Sequence, residues 1–393
     1  MADDATSVAA GQYHLMREQQ VIDTLRDLIR INSVNPSYAN GKPESGIQAY
    51  ISSFFERAGI RVETQEIAPG RANVVAKLSG YDSKRVLVLE AHVDTAGIDN
   101  MSIDPFDPVI RDGAVYGRGA CDTKGGLAAM MHAVLAIKEE GVQPPCDVWL
   151  AATVDEEYSY RGVLRLCEGL SAAGAVVAEP TDLRLVIASK GCLRWRVTVN
   201  GRAAHSSKPH LGVNAISRMA RLIVALEDEE QQLQLKRHHL VGTPTLNVGV
   251  IQGGAQVNIV PEECSMEIDR RLIPGEILSD VQARYESLPE QLRPMFPDLE
   301  VSQTTLLSDW PMETCVDSDI VQTAMRVLRK RNLNAEPTGV PFGSDASKLS
   351  RIGVPSIVLG PGSIDHAHTA AEFISTNEVV LAAYIYKELI QEF

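Results

Sequence analysis

The spacing of apolar residues changes several times along the chain, and each change marks an element. From His14 to Ile31 the positions Val21, Leu25, Leu28 and Ile29 recur at helical spacing, and Asn35-Pro36 stops the run. Beyond it, short apolar runs alternate with helical patterns, as in a three-layer α/β unit. Four such runs cover residues 85–95, 147–157, 174–180 and 354–362. They lead into His92-Val93-Asp94, Asp155-Glu156-Glu157, Glu179-Pro180 and the segment containing His368. Ligands of open α/β sheets gather at the carboxyl ends of strands. Four strand ends rich in metal-ligand residue types therefore form one coherent signal.

The texture differs between about Cys192 and Ser302. Leu193, Trp195, Val197 and Val199 alternate with Arg194, Arg196, Thr198 and Asn200, predicting a strand with one dry and one wet face. A helix with Ile216, Met219, Ala220 and Ile223 on one stripe follows. Strands around 246–251 and 264–271, a helical segment near 277–288 and a short strand near 299–301 complete the order βαββαβ, that of a split βαβ or ferredoxin-like sandwich. The expectation is a mixed-sheet α/β catalytic unit over 1–190 and 305–393, resuming near Leu306, with a second unit inserted over 191–304.

A chain of 393 residues is long enough for two or three domains, which agrees with this division. A formal charge of −14 with no basic run leaves nothing to neutralise phosphates, which argues against a nucleic-acid partner. Residues 1–12 are small, polar and acidic, unlike a signal peptide, and no stretch is long enough to span a bilayer. Cys121, Cys146, Cys167, Cys192, Cys264 and Cys315 lack paired spacing and read as reduced packing residues. A cytoplasmic location is the expectation.

The chemistry centres on a few segments. His92 and Asp94 share a strand face, so the aspartate could orient the imidazole toward a metal or simply satisfy a buried histidine. Asp122 lies in Tyr116-Gly117-Arg118-Gly119-Ala120-Cys121-Asp122-Thr123-Lys124-Gly125-Gly126, before a helix with the stripe Leu127, Met130, Met131, Val134 and Leu135. It could cap that helix or bridge two cations, and the glycines, which let backbone approach a site closely, suit the second use. No strand runs into this loop with the spacing of a nucleotide-binding turn. Glu156 and Glu157 diverge on extended backbone, so one can bind metal while the other faces a water. Glu179 ends another apolar strand, and both His366 and His368 stand in the last motif. His132, His238 and His239 read as helix-flank or surface residues.

As a set these segments resemble the M20 metallopeptidase family, the group of acetylornithine deacetylase, succinyl-diaminopimelate desuccinylase, aminoacylase and glutamate carboxypeptidase. The resemblance covers nearly the whole chain. It implies that His92, Asp122 and Glu179 hold one Zn2+ and that Asp122 bridges to a second held by Glu157 and His368, with Co2+ or Mn2+ as possible substitutes. His368 is preferred to His366 because Ala367-His368 and Glu372 match the family's Ala-His-x-x-x-Glu pattern. Glu156 becomes the general base, Asp94 the clamp on His92, and the Asp122–Thr123 peptide cis. The inserted unit becomes a lid and dimerisation domain whose His205, in Gly201-Arg202-Ala203-Ala204-His205-Ser206-Ser207, reaches the site of a second subunit. Asn258 and Arg271 match positions that grip the substrate carboxylate, although a salt bridge within the lid would equally explain Arg271. The loop Gly343-Ser344-Asp345 is expected to line the substrate pocket.

The implied activity is hydrolysis of an N-acyl amino acid. Glutamate at 179 is the deacylase branch's residue, where the family's peptidases usually carry aspartate. The loop Leu359-Gly360-Pro361-Gly362-Ser363-Ile364 also looks like the acetylornithine deacetylase type. A carboxypeptidase or dipeptidase is the alternative enzyme. A catalytically silent relative would have lost the base or a ligand, and here every one of those positions holds the expected residue type.

Overall fold

The computed structural model describes residues 17–393. The first helix is described from Glu18 to Arg30 and buries Val21, Leu25, Leu28 and Ile29, as the spacing predicts; His14 lies outside the described residues. Nine strands make one large mixed sheet. Its centre is Cys146–Thr153, Asp82–His92, Gly174–Val177 and Ser356–Val358, adjacent in that order and parallel. Arg61–Ala68 and Arg71–Leu78 extend one side antiparallel.

Because side chains alternate along a strand, neighbouring residues feed two separate cores. Val74, Leu87, Leu89, Leu150 and Val176 pack beneath the helices Glu18–Arg30, Gly125–Glu139 and Thr376–Glu392. Val75, Val88, Ala151 and Val177 pack beneath Arg161–Cys167 and Ala346–Arg351. This is the expected three-layer arrangement. The helix Gly125–Glu139 is buried almost all round instead of along one stripe, since it lies between the sheet and two other helices. His132 is therefore not on a helix flank. It is buried, with Nε2 2.8 Å from the Thr24 hydroxyl.

The smaller sheet has the antiparallel order Thr245–Gly253, Glu263–Leu272, Gly191–Asn200, Glu300–Asp309. Leu193, Trp195, Val197 and Val199 face the helices, and Arg194 and Arg196 face outward, as their alternation requires. In the helix Ala215–Leu233 the buried face is Ala215, Met219, Leu222 and Leu226. Ile216 and Ala220 are exposed, so the predicted stripe is one residue out of phase. Apolar residues occupy two neighbouring arcs of this helix, and only the partner side chains Val197, Leu246 and Met266 decide which is dry.

The last strand is ten residues long, not a short one near 299–301, and it follows Gly191–Asn200 back as far as Cys192. Its mostly exposed edge position removes the apolar alternation that would have revealed it. The chain thus stays in the smaller sheet past Leu306, to Asp309. There the Asp309 carboxylate pairs with Lys348 at 2.8 Å and accepts the Ser347 hydroxyl at 2.8 Å, fastening the strand end to the larger unit. Among the described residues no helix is long and apolar enough to cross a membrane.

Candidate active site

The strand Asp82–His92 delivers His92 at its carboxyl end, buried. The Nδ1–H of His92 donates to the Asp94 carbonyl at 2.9 Å, which leaves Nε2 as the ligating nitrogen. That atom lies 3.0 Å from Asp122 Oδ1 and 3.8 Å from Glu179 Oε1. On the other side His368 Nε2 lies 3.2 Å from Asp122 Oδ2 and 3.0 Å from Glu157 Oε1. The two oxygens of Asp122 therefore address two different trios.

The loop bearing Asp122 is shaped by its glycines and by a buried carboxylate. Gly119 takes φ 80°, a conformation that costs a side-chain-bearing residue energy. Glu372 accepts the backbone N–H groups of Gly119, Cys121 and Asp122 at 3.1, 2.9 and 3.0 Å and pairs with Arg118 at 2.7 Å. The Asp122–Thr123 peptide is cis, as the resemblance implies. The sequence pattern used Glu372 only to choose between two histidines, yet it is the residue that holds the bridging loop. His366 is disposed of separately: its ring stacks on Phe373 with centroids 4.1 Å apart.

The donor set fits cations. Nitrogen and oxygen ligands about 2.0–2.2 Å from a tetrahedral zinc ion lie roughly 3.3 Å from one another. The separations here run from 3.0 to 3.8 Å, and within each trio all donor atoms fall inside 4.8 Å. Electrostatics agree. Burial and the neighbouring Asp122 push Glu179 up to about 8. Burial followed by Glu179 pushes Glu156 well up, while hydrogen bonds to Asp122 and Glu157 push His368 up to about 10. Carboxylates crowded in this way carry a charge cost that a nearby dication offsets.

A third group, His238, His239 and Glu313, is more exposed. His238 Nδ1 accepts the N–H of Leu240 at 3.2 Å, so its Nε2 carries the proton donated to Glu313 and has no lone pair for a metal.

Asp94 does not clamp the His92 ring. Its Oδ1 is 3.8 Å from Nδ1, and the carboxylate instead accepts the backbone N–H groups of Glu156 and Glu157, both at 3.1 Å. A carboxylate two residues along the strand is close to the imidazole, but the main-chain carbonyl reaches the ring first. Asp94 thus sets the turn that presents Glu156 and Glu157. Asn35 joins that turn to the next layer, donating to Asp94 at 2.8 Å and to Asp155 at 3.0 Å. Arg71, 6% exposed, pairs with Glu44 at 2.6 Å and with Asp155 at 2.8 Å. None of Asn35, Glu44 and Arg71 has a sequence signal of its own, because their partners lie far away along the chain.

Removing one partner of a buried ion pair strands the other charge. Arg71→Met should therefore destabilise the protein by about 3–5 kcal/mol, leaving the buried Glu44 unpaired while Asp155 keeps its pair with Arg161 at 2.7 Å. Denaturant unfolding measures this, and a loss below about 1 kcal/mol would mean that the network holds nothing together.

The remaining predicted residues make no hydrogen bond or ion pair with the two trios among the described residues. His205 and Asn258 are exposed on adjoining segments of the smaller unit, where the Asn258 carbonyl accepts the Ser206 N–H at 3.0 Å. Arg271 is bound to Asp269 by Nε at 2.7 Å and Nη2 at 3.3 Å, so the intra-unit salt bridge exists. Ser344 does not face an open pocket: it is 1% exposed, and its carbonyl accepts Lys348 Nζ at 3.1 Å. Gly343 abuts Asp309, where a Cβ would come within 2.3 Å of Oδ2. This loop turns on the polar contacts that join the two units.

Two ligand trios sharing one carboxylate at the carboxyl ends of parallel strands define a candidate dinuclear metal centre of the hydrolase kind. The chain belongs to the peptidase family M20/M25/M40, whose profile matches residues 88–392. It is 32% identical over 382 residues to an acetylornithine deacetylase of Myxococcus xanthus, covering 94% of this chain and 96% of the relative. It is 26% identical over 401 residues to an N-formyl-4-amino-5-aminomethyl-2-methylpyrimidine deformylase of Bacillus subtilis, covering 92% and 93%. Among solved structures, a tripeptidase of Staphylococcus aureus superposes with TM-score 0.79 at 24% identity, covering 96% of this chain and 98% of that one.

Proposed function

We propose that this chain hydrolyses the amide bond of N-acyl amino acids, with Glu156 as general base. The observation that carries this reading is the Glu156 carboxylate itself. It belongs to the same electrostatic cluster as His92, Glu157 and Glu179, yet forms no hydrogen bond or ion pair among the described residues. A carboxylate so placed is free to take a proton from an attacking water and return it to the leaving nitrogen. His92, Asp122 and Glu179 would hold one divalent cation, and Asp122, Glu157 and His368 a second. When bound, such cations lower the pKa of water and polarise a carbonyl. All donors are nitrogen or oxygen, which suits zinc and also accepts cobalt or manganese. The relatives named for removing acetyl and formyl groups, together with glutamate at 179, favour acyl substrates over peptides.

A panel of N-acetyl and N-succinyl amino acids assayed beside dipeptides, on protein reconstituted with each metal, tests the substrate class. The expected result is turnover of acyl amino acids; hydrolysis of dipeptides alone would make the chain an exopeptidase.

We assign the smaller unit, with its ferredoxin-like order, as a lid that also pairs two chains. The strand Thr245–Gly253 is an open sheet edge with Val250 and Ile251 exposed, and such an edge invites pairing. Ser207 N–H donates to His205 Nδ1 at 3.1 Å, leaving Nε2–H to stabilise developing negative charge in the site of a second copy. Asn258 and Arg271 would hold the substrate carboxylate. Sedimentation of active enzyme should give a dimer, and a fully active monomer would remove the trans role of His205.

A further inference from the structure

One buried ammonium touches both units and the turn that carries Glu156. Lys348 lies in the helix Ala346–Arg351, and its side chain is 1% exposed. An ammonium taken out of water needs a partner for each of its three N–H groups. Two partners are the Asp309 carboxylate at 2.8 Å and the Ser344 carbonyl at 3.1 Å. The third is the face of the Tyr160 ring, whose centroid lies 3.3 Å from Nζ. A cation over a ring face is held most strongly where water is excluded. Neither Lys348 nor Tyr160 is marked by the sequence motifs.

Each partner leads to a different part of the molecule. Asp309 ends the strand Glu300–Asp309 and stands opposite Cys192, so the entry to the smaller sheet and the exit from it lie side by side at this carboxylate. The same helix fastens that exit twice more, through the Ser347 hydroxyl on Asp309 at 2.8 Å and through Arg351, 3.8 Å over the Trp310 ring. Tyr160 closes the turn that begins at Asp155. Its N–H donates to the Asp155 carbonyl at 2.6 Å, with Glu156 and Glu157 between them. Both ends of this turn take positive φ, 71° at Asp155 and 60° at Tyr160, which side-chain-bearing residues adopt only where their surroundings hold them. The Asp155 end is held by Arg71, Asn35 and Arg161. The Tyr160 side chain makes no hydrogen bond among the described residues, so the Lys348 ammonium is what grips the other end.

We infer that Lys348 is a positioning residue for the general base. Through the Tyr160 ring it fixes the far end of the turn that presents Glu156, and through Asp309 it ties that turn to the smaller unit. The placement of Glu156 therefore depends on where the smaller unit sits. This rests on the reading of Glu156 as the base and goes beyond it by naming what aligns that carboxylate.

The test measures kcat, KM, cation content and melting temperature with the best substrate of the panel. Asp309→Asn/Lys348→Met removes the ion pair without leaving a buried charge, Tyr160→Leu removes the ring, and Tyr160→Phe keeps it. The first two should lower kcat about 10- to 100-fold, with KM within a few-fold and the cation content unchanged, because a small misplacement of a reacting group is that costly. Tyr160→Phe should bring kcat back to within a few-fold of wild type. In a Glu156→Gln background the same changes should cost nothing further, since residues that act through one another are not additive. A lowered melting temperature with kcat unchanged per cation-loaded molecule would make the link merely structural and overturn the inference. Losses that add to that of Glu156→Gln, or a loss in Tyr160→Phe equal to that in Tyr160→Leu, would overturn it too. If Asp309→Asn/Lys348→Met does not fold, Tyr160→Leu decides alone, because it leaves the ion pair whole. Full turnover by Glu156→Gln defeats the functional reading, whereas undiminished turnover by Tyr160→Leu beside an inactive Glu156→Gln defeats this inference alone.

Discussion

Replacing Glu156 by glutamine should lower kcat by about 10²- to 10⁴-fold and leave the cation content of the protein unchanged. Glutamine keeps the size of the side chain and removes only its ability to accept and return a proton. Glu156 makes no hydrogen bond or ion pair through its carboxylate among the described residues, so the substitution breaks nothing structural. Its backbone N–H still reaches Asp94 at 3.1 Å, so the turn should survive as well. The measurement pairs steady-state kinetics with elemental analysis of the same preparation. Retained turnover would exclude Glu156 as the base, and loss of cations would make it a ligand instead.

Asp122→Ala should have the larger structural consequence, because one side chain serves both trios. His92 and His368 would each lose their shortest carboxylate contact or one close to it, at 3.0 and 3.2 Å. The expected result is loss of both cations and of activity by several orders of magnitude. A binding readout accompanies it. A ligand that binds only the folded state raises apparent stability. Adding zinc, cobalt or manganese should therefore raise the melting temperature of the wild-type protein and not that of Asp122→Ala. A variant that still binds two cations and is stabilised by them would show that the trios do not depend on a shared carboxylate.

What could be read from the sequence follows from how far each signal travels along the chain. The parallel strands and their loaded carboxyl ends were legible because apolar runs and ligand types sit within a few residues of each other, as in Leu89 to Asp94. The alternation from Leu193 to Asn200 likewise announced a sheet with one open face, which the burial of that strand bears out. Signals spread over long separations were not legible. Asn35 meets Asp155 across 120 positions and Arg71 meets the same carboxylate across 84, so nothing local marks them. Asp94 misled for a subtler reason: its spacing from His92 is right for a clamp, but spacing does not reveal that the backbone carbonyl takes the ring while the carboxylate turns to the next strand. Ser344 misled similarly. A glycine-serine loop beside an acid looks like pocket lining, yet in the fold Lys348 reaches the Ser344 carbonyl and pairs with Asp309.

The proposed chemistry requires that His92, Glu157, Glu179 and His368 gather two divalent cations about the Asp122 carboxylate. Anomalous diffraction from crystals of the zinc-reconstituted protein tests it most directly. Two peaks are predicted, one bounded by His92, Asp122 and Glu179 and the other by Asp122, Glu157 and His368. A single peak, or peaks at His238, His239 and Glu313 with none at Asp122, would contradict it.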